Sequence, residues 1–179
     1  VQDCSSSDVN ADTKRRIIME EKKYAVLIDG DNISSKYLDS ILNEMTKYGI
    51  ATYKRIYCDF TSQQSSKWRR LVRDSGIQAM QQFANTVGKN ATDSTLIIDA
   101  MDILYTGNVD GFCIVSSDGD FTRLAIRLKE SGMDVIGMGE SKTPRSFRAA
   151  CTVFTDLEIL YEAESEDDEI STKGKKAAV

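Results

Sequence analysis

The stretch YAVLIDGDN, residues 24–32, joins two features from which the rest of the chain can be interpreted. Residues 24–28 form a short continuous apolar run, which is typical of a strand buried on both faces of a parallel sheet. Asp29, Gly30 and Asp31 follow at once, and this combination ends a strand and begins a turn. The stretch therefore predicts a buried strand that carries two carboxylates at its carboxyl end.

The alternation of strand and helix continues along the chain. Apolar runs predict further strands at residues 52–58, 77–83, 111–115, 134–138 and 153–154, and amphipathic stretches predict helices at 34–48, 65–76, 93–105, 121–131 and 144–150. This order indicates an α/β fold whose central sheet is mainly parallel and covered on both faces. In such sheets, ligands bind outside the carboxyl ends of the strands, where the strand order reverses.

The composition is that of one globular domain with polar ends. The 179 residues are 41% hydrophobic and 28% charged. The composition predicts three segments: a flexible leader at residues 1–21, the folded domain at residues 22–161, and an acidic linker or tail at residues 162–179. Because no apolar run approaches the roughly 20 residues of a membrane span, and the leader lacks a signal core, we expect a cytoplasmic protein without a membrane partner.

The absence of histidine and of closely spaced cysteines limits the kinds of catalytic and metal site that the chain can form. The chain contains no histidine, and its four cysteines are widely separated, with no CxxC spacing. These absences argue against a thiolate zinc site, a Ser-His-Asp triad and a histidine-based metal centre. Any chemistry must use carboxylates, lysine, arginine, hydroxyls or amides.

The net charge of −5 is concentrated at the two ends of the chain. Residues 22–161 contain 17 basic and 17 acidic residues, whereas residues 162–179 contain 3 basic and 6 acidic ones. If a bound cation neutralised some of the central acids, the remaining central surface would be positive. The charge distribution is therefore compatible with a nucleic-acid partner.

Acidic residues recur at the predicted ligand-binding edge. The buried run GFCIV is followed by SSDGD, so Asp118 and Asp120 are expected near Asp29, with small residues such as Ser116 allowing close approach. A third source is the helix that begins KNATDSTLIIDAMD, which contributes Asp93. Clustered carboxylates repel each other, and without histidine or thiolate ligands the cation that suits them is Mg²⁺ or Mn²⁺.

Each acidic motif also has an ordinary structural explanation. Asp and Gly dominate turns for conformational reasons, and Asp93 in a first helical turn fits a capping role. The prediction of a metal site depends on several acids meeting at one sheet edge.

The motifs IDGDN, KNATDSTLIIDAMD and FCIVSSDGDF, in this order and spacing, resemble the NYN domain family of PIN-like ribonucleases, in its bacterial LabA-like branch. The resemblance covers roughly residues 22–160 and implies a three-layer α/β/α PIN-like (Rossmann-like) fold with a metal-dependent nuclease site acting on RNA, expected to be single-stranded. It also implies a helical RNA-binding domain after the linker, absent from this chain. A homodimer is one oligomeric state that the sequence leaves open.

The resemblance also assigns roles by motif position. It implies that Asp29, Asp93 and Asp118 are the catalytic and metal-binding carboxylates. Asp120 is a further metal-ligand candidate, and the supporting candidates are Asn32, Asp99, Ser116 and Lys89.

Two basic clusters are candidate RNA contacts. The stretch SKWRRLVR contributes Lys67, Arg69, Arg70 and Arg73, and the stretch SKTPRSFR contributes Lys142, Arg145 and Arg148. For the second cluster, a solvated helix face is an equally good explanation, and for the first the alternative is an amphipathic helix whose cations are solvated. For the single tryptophan, Trp68, inward packing is favoured over stacking on a base, because Trp buries a large apolar area.

Two other functions remain open on the sequence alone. One is a catalytically weak RNA-binding or regulatory module whose acids hold a structural ion. The other is a phosphatase similar to the haloacid dehalogenases, because IDGDN matches their DxD nucleophile motif. Ile33 and Asn32 depart from that pattern, and no cap segment is evident.

Overall fold

Six strands form the central sheet of the computed structural model, which describes residues 21–63, 65–83 and 91–176, and of residues 91–93 and 167–176 the backbone alone. The strands are β1 (Lys23–Asp29), β2 (Ile50–Cys58), β3 (Gln78–Gln81), β4 (Gly111–Val115), β5 (Asp134–Gly139) and β6 (Val153–Asp156). Their spatial order is β3-β2-β1-β4-β5-β6, and every neighbouring pair is parallel. The predicted α/β class with a parallel sheet is confirmed.

Helices connect successive strands, as parallel pairing requires. They are α1 (Leu38–Met45), α2 (Ser66–Ser75), α3 (Ala91–Thr106), α4 (Thr122–Glu130) and α5 (Arg145–Ala150), and a further helix, α6 (Leu157–Lys176), follows the last strand. Short 3₁₀ turns at Ser35–Tyr37 and Gly119–Phe121 lead into α1 and α4.

The core lies on both faces of the sheet. Along β1, Ala25 and Leu27 pack with residues of α3, α4 and α5, whereas Val26 and Ile28 pack with residues of α1, α2 and α6. Because successive strand side chains point to opposite faces, one continuous apolar run supplies both layers. The result is a three-layer α/β/α arrangement with β1 at its centre.

Helix α6 extends into the segment 162–179 that the sequence predicts to be a linker or tail. Its backbone is helical through Lys176, and Glu164 accepts hydrogen bonds from Ser40 and Asn43 of α1. Regular structure in this segment was not predicted from the sequence. The predicted leader lies outside the described residues except for Glu21, and the domain boundaries stay predictions.

None of the helices in the described part of the chain has the length and apolar character that crossing a bilayer requires.

Gly111 provides a test of the close packing where β1, β4 and β5 meet. A Cβ atom there would lie 2.5 Å from Cε1 of Tyr24 and 2.7 Å from the carbonyl oxygen of Asp134. We expect Gly111→Ala to lower the free energy of unfolding by about 1–3 kcal/mol, because a backbone carbonyl in a sheet moves little. Urea unfolding monitored by circular dichroism measures this change.

Gly119→Ala is the matched control, because a Cβ atom at Gly119 meets only Pro144, at 3.3 Å or more. Its expected effect is below about 1 kcal/mol. Equal destabilisation by the two substitutions would contradict the packing argument.

Candidate active site

The central strands β1 and β4 carry the candidate site at their carboxyl ends. Ile28 lies beside Val115 in the parallel register, so Asp29 and Ser116 follow as neighbours. The strand order reverses between these two strands, because β2 and β3 continue on one side and β5 and β6 on the other. This is the position at which α/β sheets bind ligands.

Asp29 is a fully buried carboxylate at this position. Its Oδ2 accepts a hydrogen bond of 2.7 Å from Asn32 Nδ2 and one of 2.7 Å from Ser116 Oγ. Its Oδ1 is buried and has no hydrogen-bond partner among the described residues. Burial raises the pKa of Asp29 above its usual range, and the hydrogen bonds from Ser116 and Asn32 act in the opposite direction.

Ser116 joins Asp29 to Asp118. Its hydroxyl donates to Asp29 and accepts a hydrogen bond of 3.0 Å from the Asp118 backbone N–H. Oδ1 of Asp118 accepts from the Asp120 backbone N–H at 2.9 Å, so Asp118 caps the 3₁₀ turn that leads into α4. Asp118 is half-buried and Asp120 is exposed. The structure thus brings Asp29, Asn32, Ser116 and Asp118 into one hydrogen-bonded group.

Gly30 allows the loop after β1 to pass close to β2. A Cβ atom there would lie 2.9 Å from Cδ1 of Ile56, and the Gly30 N–H donates to the Tyr57 carbonyl at 2.9 Å. The indole N–H of Trp68 donates to the Gly30 carbonyl at 3.0 Å, and Trp68 is 3% exposed. The inward packing favoured for Trp68 is confirmed, and its bond to Gly30 gives it a further role in fixing the loop after Asp29.

Asp99 lies apart from the hydrogen-bonded group around Asp29. Its carboxylate accepts hydrogen bonds from Arg55 and from the hydroxyl of Tyr57, both on β2. These bonds tie α3 to the sheet, and burial together with the bond to Asp99 raises the pKa of Tyr57. Sequence reasoning named Asp99 but missed Arg55 and Tyr57, since no local pattern shows which helix will pack over a given strand.

Two predicted site residues belong to the segment between β3 and the first turn of α3. Lys89 lies outside the described residues, and so does the side chain of Asp93, whose backbone belongs to the first turn of α3. Among the side chains that the structure describes, no group of three acids or cysteines is arranged to hold a metal ion. The predicted set of metal ligands therefore stays a prediction.

The two basic clusters differ in their surroundings. All four cations of α2 are exposed, and Arg69 alone donates to backbone carbonyls, those of Phe60 and Ser62, among the contacts of the described residues. In the second cluster, Lys142 forms an ion pair with Glu140 at 2.8 Å. Arg148 donates to three backbone carbonyls and to Asp156, and Arg145 is exposed.

The contact of Asp99 with Arg55 and Tyr57 predicts a structural role. Asp99→Asn is expected to lower the free energy of unfolding by about 1–3 kcal/mol, because the largely buried guanidinium would lose its anionic partner. Thermal and urea unfolding measure the change. Asp102→Asn, an exposed position one turn further along α3, should stay within about 0.5 kcal/mol of the parent protein. Equal stability of all three proteins would rule out a stabilising role for the pair.

Comparison with known proteins identifies the family of the chain. Residues 23–158 match the NYN domain family. The chain is 27% identical over 125 residues to the uncharacterized protein MJ0482 of Methanocaldococcus jannaschii, an alignment that covers 66% of this chain and 48% of the relative. The chain thus spans about half the length of the curated relative that it matches.

A solved structure shares the fold. The crystal structure of a protein of unknown function, VPA0982 from Vibrio parahaemolyticus, superposes with a TM-score of 0.64 at 19% identity, covering 76% of this chain and 93% of that one. Since the family match spans most of the folded part, the chain belongs to the NYN domain family, a family of PIN-like nuclease domains.

Proposed function

We propose that this NYN domain is a metal-dependent ribonuclease whose site is centred on Asp29. The observation that carries the proposal is the fully buried Asp29 carboxylate, which has one oxygen held by two hydrogen bonds and the other without a partner among the described residues. A buried unpaired carboxylate oxygen is costly, by about 1–3 kcal/mol or more. A hard divalent cation at this oxygen would offset that cost.

The donor set fits such an ion in its chemistry. Carboxylate oxygens suit Mg²⁺ or Mn²⁺. This site offers Asp29 and also Asp118, whose backbone N–H donates to the Ser116 hydroxyl that is bonded to Asp29. Asp93 is the third ligand that we propose, and Asp120 is an exposed further candidate. When bound, the ion would lower the pKa of a water molecule and polarise the scissile phosphate.

The residues of the chain would then have separate tasks. Asp29 and Asp118 would hold the ion. Ser116 and Asn32 would fix the orientation of Asp29 through the bonds to its Oδ2, so that Oδ1 remains available. Bonds of this kind are what keep a metal ligand in one rotamer.

RNA as substrate is supported by the family, since NYN nucleases act on RNA. Cleavage of single-stranded RNA, membership of the LabA-like branch, a homodimer and a cytoplasmic location stay predictions. An RNA-binding module without catalysis is the principal alternative, and the phosphatase alternative would require a phosphoryl adduct on Asp29.

The test is cleavage of labelled single-stranded RNA with Mg²⁺ or Mn²⁺ by the parent protein and by Asp29→Asn and Asp118→Asn. We expect EDTA to abolish cleavage and each substitution to lower its rate by more than about 100-fold, because each removes an anionic ligand. Ser116→Ala should cost about 10–100-fold. Gel analysis of products over time measures the rates.

Asp102→Asn is the matched control, as it makes the same chemical change at an exposed position. Circular dichroism and thermal unfolding show whether each variant is folded. If Asp29→Asn fails to fold, Asp118→Asn still tests the proposal, because Asp118 is only half-buried. Full activity of a folded Asp118→Asn protein would contradict the proposal. RNA binding without any metal-dependent product from the parent protein would favour the binding module.

A further inference from the structure

The exposed cations of α2 are the feature that the site itself does not use. Lys67, Arg70 and Arg73 are exposed and form no ion pair within the described part of the chain. Their three-residue spacing places them along one side of the helix. Within the described part of the chain, the helix therefore presents a strip of three positive charges that form no ion pair.

The second basic cluster is different, because its cations are largely used by the protein. Lys142 pairs with Glu140, which would have to be released before Lys142 contacted another anion. Arg148 is half-buried and holds the loop before α5 together through its contacts with three carbonyls and Asp156. Only Arg145 of this cluster is both exposed and without an ion pair among the described residues.

An open cleft lies between the loop after β1 and the start of α2. Its volume is about 510 Å³, within the range of small-ligand sites. It begins at Gly30, the residue next to Asp29, and reaches Lys67 on α2. Six of the residues that line it have amide or hydroxyl side chains: Asn32, Ser34, Ser35, Gln63, Ser65 and Ser66.

The cleft and α2 are held in a fixed relation to the site. Trp68 is buried on α2 and donates to the Gly30 carbonyl, so the helix and the loop that follows Asp29 are joined directly. A strand of nucleic acid bound at Asp29 and extending toward α2 would therefore pass over the cleft.

We infer that single-stranded RNA leaves Asp29 across this cleft and along α2, with one nucleoside in the cleft and the adjacent phosphates on Lys67, Arg70 and Arg73. This inference rests on the proposed function for its substrate. The hydroxyl and amide groups of the cleft can hydrogen-bond to a ribose and a base edge.

The test compares three double variants that each remove one lysine and one arginine. They are Lys67→Ala/Arg70→Ala on α2, Lys142→Ala/Arg145→Ala beside α5, and Arg127→Ala/Lys129→Ala at the far end of α4. Binding to a fluorescent single-stranded oligouridine is measured by anisotropy in EDTA at several salt concentrations. EDTA separates binding from cleavage.

We expect the α2 variant to raise the Kd about tenfold and to lower the salt slope by about 1.4, since each lost phosphate contact removes about 0.7 for a single strand. The α4 variant should change the Kd less than twofold, and the variant beside α5 less than the α2 variant. An equal or larger loss beside α5 would overturn the inference, and so would the absence of RNA binding.

A further variant tests the cleft. Ser34→Trp places a bulky ring at an exposed lining position and is expected to weaken binding severalfold while the melting temperature stays unchanged. Unchanged binding by this variant would remove the cleft from the path.

The two proposals can fail separately. If RNA binding depends on α2 but the protein shows no metal-dependent cleavage, the proposed ribonuclease activity is refuted and the proposed RNA path along α2 still stands. Cleavage with binding that maps elsewhere would do the opposite.

Discussion

The buried carboxylate of Asp29 is the constraint around which the end of the sheet is organised. A carboxylate removed from water is costly unless it is hydrogen-bonded or paired with a cation. The chain supplies two hydrogen bonds to one oxygen, from the loop after β1 and from the residue after β4. The neighbouring strand ends are therefore coupled through a single side chain, and displacement of either one would disturb the other.

Tight backbone geometry makes this coupling feasible. Gly30 lets the loop after Asp29 lie against β2, where a side chain would meet Ile56, and Trp68 then holds that loop from α2. The serine that reaches Asp29 also orders the turn bearing Asp118. Local turn chemistry and site geometry therefore depend on the same few hydrogen bonds, so a substitution at Ser116 affects both.

Much of the architecture could be predicted because it follows from local patterns. The apolar run at residues 24–28 indicates a strand that is buried on both faces of the sheet. The alternation of strands with helices indicates parallel pairing, and parallel pairing places Asp29 and Asp118 at the same edge of the sheet. The contacts made by side chains from distant elements could not be predicted. The partners of Asp99, and the contact of Trp68 with Gly30, depend on how helices pack over the sheet.

Helix α6 was missed for a related reason. Its acidic sequence lacks an apolar stripe beyond its first turns, and composition alone favours a solvated tail. The first turns, however, are anchored by Leu157 and by Tyr161, whose ring meets that of Tyr37 edge to face at 5.6 Å. Once a helix has begun, each further residue adds a hydrogen bond without a new nucleation cost. Packing at one end thus extends order into a sequence that would not form it alone.

The local attraction of a polyanion to this acidic protein depends on which cations are paired with acids, more than on the net charge. Five ion pairs within the described residues engage cations in the protein's own structure, including Arg55 with Asp99 and Arg148 with Asp156. Cations in such pairs are already neutralised locally. Among the described residues, the cations of α2 form no such ion pair, and the acids of the carboxyl-terminal segment belong to a different helix. Because exposed charges are screened within about 8–10 Å at physiological salt, a phosphate near α2 responds mainly to the local cations and little to the net charge of −5.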